Sequence, residues 1–568
     1  MMKRFVEVVR VLALNELPFR GHEEAFGSSR PGNFKSILNL VSTFDPILHD
    51  HLLRDNPIFR GDSAIIQNEL IEAFASCIRT NISKELEAVE FVAIQVDETT
   101  DISVKTQCSL ILRYLVNGKV VERFMEFADI SGATNADSIT DYILSVIDKL
   151  GIGKKLIAQS YDGASVMSGR VAGVQQRIRQ TYPQAYYVHC WAHKLNLVLQ
   201  KSAESFSSAK RFFSTVERLH AFFSKSPKRT SALNSIENSL RLPAPSRTRW
   251  NFKSRATNTL RENFSILISF FRSVIENEGK WDGATVDECE GYLCRFESLQ
   301  FRMLLVCFDE LFSVTKLLFE QLQAVECTLT TACQRISELK EQLNRLSQNA
   351  TSGTFYQIAN SLLENDEPPS KTRKTVESEA SLNKLCSDII DNVHKHLDQR
   401  FQSLPELEFV MLLNTNRFGE MSRCFPSKAF SSLFNSRYAE HFNQDELKTE
   451  LKLLYNDPLL RVGSMHHVIL ELSKQNLAPI FSQVIRLFSL GLSLPLTTAS
   501  TERSFSALKR LKTKLRSTNS ENRLCALGLI SINYHLAKSV SSDKIIDEFA
   551  KNEEQAHQPS TEIEFCEY

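Results

Sequence analysis

Apolar positions in this chain follow two rhythms, and the switches between them mark its elements. Residues 91–96 (FVAIQV) form an unbroken β-prone run ending at Asp97, and residues 106–116 (TQCSLILRYLV) form a second after a polar connection. Residues 119–130 complete a meander of three strands. Residues 136–150 (ADSITDYILSVIDKL) then space their apolar side chains at three and four, the signature of a helix stopped by Gly151 and Gly153. Residues 156–161 predict a short strand leading to Asp162, 172–179 a helix and 185–188 a further strand. Three strands, a helix, a strand, a helix and a strand is the ribonuclease-H-like order, so the expected fold class is α/β.

The helical rhythm dominates elsewhere. Residues 1–88 predict a helical amino-terminal region, whose opening MMKRFVEVVRVLALNEL is interrupted by Glu7 and Arg10 and reads as an amphipathic helix, not a signal peptide. Runs at 264–275, 303–346 and 383–401 carry apolar residues between charged ones. The expected organisation is therefore a core starting at 89–250, an all-helical insertion at 251–480, and a carboxy-terminal region at 481–540 that completes the core. An acidic, polar tail follows at 541–568. Residues 325–346 have coiled-coil spacing, although packing inside the insertion explains them as well. Residues 365–380 (NDEPPSKTRKTVESEA) read as an exposed loop.

Composition narrows the class. Across 568 residues, 67 basic and 67 acidic side chains cancel, so binding to a polyanion must come from local patches. Twelve scattered cysteines with no Cys-x-x-Cys pair point to reduced thiols rather than a disulfide framework. No run is long and apolar enough to span a membrane.

Asp97 and Asp162 each follow a strand, and Glu502 opens an amphipathic helix; singly, each reads first as an ordinary turn or helix-start residue. Together, two aspartates and a distant glutamate are the hard-oxygen set that holds Mg²⁺ in polynucleotidyl-transfer sites. Cys190 and His193 have half of a zinc-site spacing but no second pair, so they read as local structure. Trp191 with Leu195, Leu197 and Leu199 reads as core. Trp250 by itself reads as a buried anchor, but it lies among Lys225, Lys228, Arg229, Arg241, Arg247, Arg249, Lys253 and Arg255, a basic belt around one aromatic that suits phosphate contact with stacking.

Five motifs in order carry a resemblance: VDETTDIS at Asp97, YDGASVMSG at Asp162, HCWAHKLNLVL from His189, SRTRW ending at Trp250, and LPLTTASTERSFSALKRLKTKLRS from Leu494. In motif type, order and spacing the chain resembles the hAT superfamily of DNA transposases. LPFRGHEE and FKSILNLVSTFDPILHDHL are similar to the helical region of transposon-derived proteins of the zinc finger MYM-type group. The resemblance is weakest between about residues 280 and 405. Many hAT proteins begin with a zinc-binding finger, and nothing before Asp97 has its spacing, so this chain is expected to start partway into a helical region.

The resemblance implies catalytic, metal-binding roles for Asp97, Asp162 and Glu502 with Mg²⁺ or Mn²⁺. It implies DNA contact near Cys190, His193, Arg249 and Trp250, with the indole stacking on a flipped base for about 1–3 kcal/mol. It also implies a dimer face at Phe505, Leu508, Leu511, Leu515, Leu524 and Leu527, whose bottom-up alternative is closure of the monomer's own core. The expected partners are DNA and a second copy in a homodimer or higher homo-oligomer, and the expected location is the nucleus. Two functions stand: a metal-dependent DNA transposase, or a domesticated, inactive DNA- or protein-binding scaffold.

Overall fold

The three runs of the meander pair antiparallel: β1 (Val92–Thr100) with β2 (Thr106–Val116), and β2 with β3 (Lys119–Asp129). β4 (Leu156–Tyr161) joins the free edge of β1 in parallel, and β5 (Tyr186–His189) joins β4, giving the order β3-β2-β1-β4-β5. Parallel pairing requires a crossover. The helix Ala136–Leu150 provides it, started by Asn135 accepting from the Ser138 amide at 2.9 Å and ended by Gly151 at φ 63°. β1 is buried as far as Val96 and alternates beyond it, so Asp97 is where this strand leaves the core.

The computed structural model describes residues 1–21, 29–54, 60–132, 135–236, 238, 241–243, 250–363, 378–401, 405–460, 463–516 and 519–556. These are mostly helical around this one small mixed sheet. The chain divides into two compact units, Met1–Cys190 with Glu406–Tyr568, and Trp191–Pro405. The changeovers fall at 190/191 and 405/406, whereas the hydropathy pattern placed them at 250/251 and 480/481. Most of the polar stretch 365–380 and residues 557–568 of the acidic tail lie outside the described residues, and the first part of that tail is the helix Ser542–Ala556.

In the first unit both ends of the chain share one core. Phe5, Val6, Val9 and Leu12 of the Met2–Leu14 helix are buried, and Arg10 lies over the Phe74 ring while donating to the Ala537 carbonyl at 2.9 Å. Ser76 on the Ala64–Ala88 helix donates to Glu548 at 2.5 Å. The edge strand β3 is bulged: Leu110 faces Glu126 and Ile111 faces Phe124, leaving Met125 over. Asn533 repairs the break, its amide donating to the Phe124 carbonyl at 2.8 Å and its oxygen accepting from the Phe124 amide at 3.1 Å. The helix Glu521–Ile532 comes so close to β3 at Gly528 that a Cβ there would lie 2.9 Å from the Phe127 ring.

The second unit is all helical among its described residues. The expected run at 303–346 is two helices, Leu299–Leu322 and Leu329–Thr351, because the apolar spacing lapses between them. Leu339, Leu343 and Leu346 are buried, and Ser347 meets Ser387 of the Glu379–Arg400 helix at 2.9 Å, so this segment packs inside its own unit. Among the described residues no helix is long and apolar enough to cross a membrane.

Candidate functional site

Strand register brings two of the predicted acids level. Gln95 of β1 pairs with Ser160 of β4, and Asp97 and Asp162 each stand two residues further along these neighbouring parallel strands, roughly 4.8 Å apart; Asp162 directly follows β4, whereas Asp97, expected at a strand's end, lies inside β1, which runs on to Thr100. Each carboxylate also accepts from a nearby amide: Asp97 from Glu98 within β1 at 2.9 Å, and Asp162 from Ala164 in the turn after β4 at 3.0 Å. Tyr187 of β5 donates to the Asp162 carbonyl at 3.2 Å. A third carboxylate, Glu98, joins them. Loss of hydration and then the charge of Asp162 push its pKa above the usual carboxylate range.

Glu502 stands half-buried in the first turn of the helix Ala499–Leu511. That helix covers the face of β1 to which Asp97 belongs. Ser109, the cross-strand partner of Asp97, hydrogen-bonds Ser504 at 2.7 Å. One position back on the same face, Gln95 donates to Glu122 at 2.6 Å, and Ser500 donates to that same carboxylate. Glu502 therefore lies on a helix whose flanking serines are both anchored to the sheet.

Cys190 joins this helix to the other acid-bearing strand. Its amide donates to the Tyr161 carbonyl at 3.0 Å, beside Asp162, and its Sγ accepts from the Thr498 amide at 3.3 Å. The Thr498 carbonyl in turn accepts from the Glu502 amide at 3.2 Å. At the far end of the helix, Lys512 donates to Asp101 at 2.5 Å, with both side chains at most 5% exposed. Asp101 also accepts from the Ser103 and Lys105 amides, closing the β1–β2 turn in which Val104 takes φ 62°.

These contacts revise several sequence expectations. Cys190 is 1% exposed, so it acts as an internal tie and not as a DNA contact. His193 falls in the Trp191–Glu204 helix of the second unit, half-buried. Arg249 and the side chains of Trp250 and Leu515 lie outside what is described, although Trp250 opens the helix Trp250–Glu262. Phe505, Leu508, Leu511, Leu524 and Leu527 are all buried in the chain's own core, so these side chains are not a free dimer face.

The basic run beyond Glu502 is similarly committed: Arg510 pairs with Glu16, Lys512 with Asp101, and Arg516 donates to the Glu16 carbonyl at 3.1 Å. In the second unit Lys228, Arg229 and Lys253 lie over the rings of Trp281, Phe222 and Phe213. Among the described residues no group of three or more His, Cys, Asp or Glu is gathered closely enough to hold a metal ion. Asp97, Asp162 and Glu502 offer the oxygen donors suited to Mg²⁺, but as arranged they do not form a cage for it.

Sequence reasoning overlooked Ser109, Ser504, Asp101 and Glu122. Two signals pointed at them: Asp101 is the second aspartate of VDETTD, and Ser504 sits two residues after the acid in TERSF.

Residues 1–173 match DUF4371, described as ZMYM1/FAM200, RNase-like domain, and residues 450–536 match the hAT family C-terminal dimerisation region. The mouse protein named 52 kDa repressor of the inhibitor of the protein kinase is 21% identical over 599 residues, covering 97% of this chain and 76% of the relative. Its human counterpart is 21% identical over 594 residues with the same coverage. The chain thus matches an RNase-like domain of the ZMYM1/FAM200 kind at one end and a hAT dimerisation region towards the other.

Proposed function

We propose that this is a nuclear, transposase-derived protein that self-associates and binds DNA, on a ribonuclease-H-like core interrupted by the helical second unit. The observation that carries the reading is the sheet end. Asp97 and Asp162 stand level on neighbouring parallel strands, and the Glu502 helix is tied to them through Cys190 and Ser109. The matched dimerisation region supports self-association. Because Phe505, Leu508, Leu511, Leu524 and Leu527 are buried within the chain, the second copy meets other residues of that region. The named relatives are repressors by title, which favours a binding role over strand transfer.

Retained strand cleavage with Mg²⁺ or Mn²⁺ is the second reading. It is favoured by one observation, that an acid occupies each of the three positions the resemblance assigns. This reading requires Asp97, Asp162 and Glu502 to draw closer than they stand here before they could hold the ion, which would supply a Lewis acid for phosphodiester chemistry.

One experiment separates the two. Labelled duplex DNA is incubated with the full chain and Mg²⁺ or Mn²⁺, binding is read by gel shift, and strand breaks are read on a denaturing gel. Wild type is compared with Asp162→Asn and Glu502→Gln. Shifted, uncut DNA with all three proteins supports the binding reading, and cleavage lost in both variants establishes the second. A folded, self-associated wild type that shifts no DNA overturns both.

A further inference from the structure

The second unit contains a small cavity whose chemistry none of the motifs above explains. It has a volume of about 190 Å³ and lies where the helices Ser207–Ser224, Gly283–Glu297 and Leu299–Leu322 meet. Ser208, Arg211, Thr215 and Arg218 line it from the first helix at spacings of three, four and three, which sets them on one stripe. Arg295 faces them from the last turn of the second helix, donating to Thr215 Oγ1 at 3.5 Å. Phe212, Phe301 and Leu304 supply the apolar part of the lining.

Three arginines thus line one cavity with no carboxylate in its lining; Arg218 Nε donates to the Ser214 carbonyl at 3.3 Å, and among the described residues none of the three forms an ion pair. The chain pairs many of its other arginines with acids, including Arg261 with Asp309 and Glu310 and Arg272 with Glu297 in the same unit. Three like charges around one hollow repel unless an anion sits between them. The cavity has a second feature of the same sign. The helix Leu299–Leu322, 24 residues long, starts here, and its N-cap Ser298 makes no side-chain capping bond. Its first intrahelical acceptor, the Ser298 carbonyl, is used by the Arg302 amide, so the amides of residues 299–301 have no acceptor within the helix. Such a terminus attracts negative charge.

We infer that Arg211, Arg218 and Arg295, with the start of the Leu299–Leu322 helix, form a phosphate-binding site that takes one backbone phosphate of a nucleic acid. Planar guanidinium forks match phosphate oxygens in pairs, which a lysine ammonium does not do. The hollow opens to the surface and its three arginines are exposed, so a phosphate held there stays continuous with a phosphodiester chain outside. The assignment of the phosphate to DNA rests on the proposed function, whereas the anion site itself does not.

The test uses the full chain, with Arg211→Ala, Arg218→Ala and Arg295→Ala combined, and a second variant carrying Lys at all three positions. All three residues are on the surface, and circular dichroism checks that the variants fold. Binding of a fluorescein-labelled duplex of mixed sequence is read by anisotropy across about 50–200 mM salt, and inorganic phosphate is read by thermal shift. The alanine variant is expected to bind the duplex at least about tenfold more weakly at the low-salt end, with its log-log salt slope reduced by about 0.9 for each phosphate it no longer neutralises. The lysine variant should keep most of the slope and lose part of the affinity. Phosphate should stabilise wild type and not the alanine variant.

If only the phosphate response changes, the site stands and its ligand is a free anion; if wild type also binds no duplex, the DNA-binding reading falls by itself. A folded alanine variant equal to wild type in both assays overturns the site and leaves DNA binding untouched.

Discussion

Replacing Lys512 with methionine tests how the Glu502 helix is held to the sheet. The Lys512 ammonium and the Asp101 carboxylate are 2.5 Å apart, with side chains 5% and 2% exposed. Removing one member of a buried pair costs about 3–5 kcal/mol, because the other charge is left without compensation. Asp101 would still accept from the Ser103 amide at 2.7 Å and the Lys105 amide at 3.2 Å, which places Lys512→Met near the lower end, about 3 kcal/mol. Adding Asp101→Asn removes the stranded charge and keeps the turn closed, so the double variant should lose only about 1–2 kcal/mol. That leaves a coupling of at least about 1–2 kcal/mol.

The assay is thiol labelling of the buried Cys108 and Cys190 across a urea series, which reads the first unit. Fluorescence of Trp191, Trp250 and Trp281, all in the second unit, serves as the control. A double variant that costs the sum of the singles within about 0.5 kcal/mol refutes the reasoning. Acid adds a second check. Burial alone would raise the Asp101 pKa, but Lys512 and the turn amides outweigh it and hold it below the usual range. A depressed folded pKa stabilises above the unfolded value of about 3.9 and loses that contribution as pH falls through the folded value. The advantage of wild type over Asp101→Asn should therefore shrink below about pH 4.

Other outcomes follow from the same structure. Gly528→Ala should destabilise the first unit by about 1–3 kcal/mol, read as a lower urea midpoint, since the added methyl meets the Phe127 ring. Asn533→Leu strands the Phe124 amide and carbonyl at the β3 bulge and should cost about 1–3 kcal/mol for each; an unchanged midpoint would mean that water replaces both bonds. Cys190→Ala should accelerate hydrogen exchange at the Thr498 amide while Cys190→Ser slows it again; equal exchange in all three proteins would remove Cys190 as a tie. Burial pushes Cys525 to about 12 and Cys77 to about 11, so mass spectrometry after alkylation at about pH 8 should find the exposed Cys294 and Cys424 modified first.

What the sequence revealed about the fold was mainly local. β1 to β5 appear within a few residues of the expected runs, because a buried strand bounded by polar turns announces itself over a handful of positions. Register-level facts were out of reach. That Ser109 would face Asp97, and Ser504 would meet Ser109, depends on how far β2 slides along β1 and where a helix nearly 400 residues later comes to rest. Apolar spacing at Phe505, Leu508 and Leu511 correctly predicted a helix face, but periodicity is blind to whether that face meets its own chain or another. The acidic partners of Arg510 and Lys512, Glu16 and Asp101, lie far upstream, so no local pattern shows the pairing. The changeover at Cys190 was hidden as well, since HCWAHKLNLVL reads as one continuous motif across it.

The first unit's split between residues 1–190 and 406 onward has a consequence for how the protein is made. The helix that covers β1 and β2, the asparagine that mends the β3 bulge and the carbonyl that receives Arg10 all lie in the later segment. A ribosome therefore releases the sheet long before the residues that cover it exist, while the helical unit, contiguous in sequence, is complete first. Until translation passes about residue 540, the apolar face of β2 and the open edge of β3 are exposed to other nascent chains. Messages cut short before that point would yield sticky, short-lived products. A holding chaperone would be needed most during the tens of seconds in which residues 191–405 are synthesised, at about 5–20 residues per second.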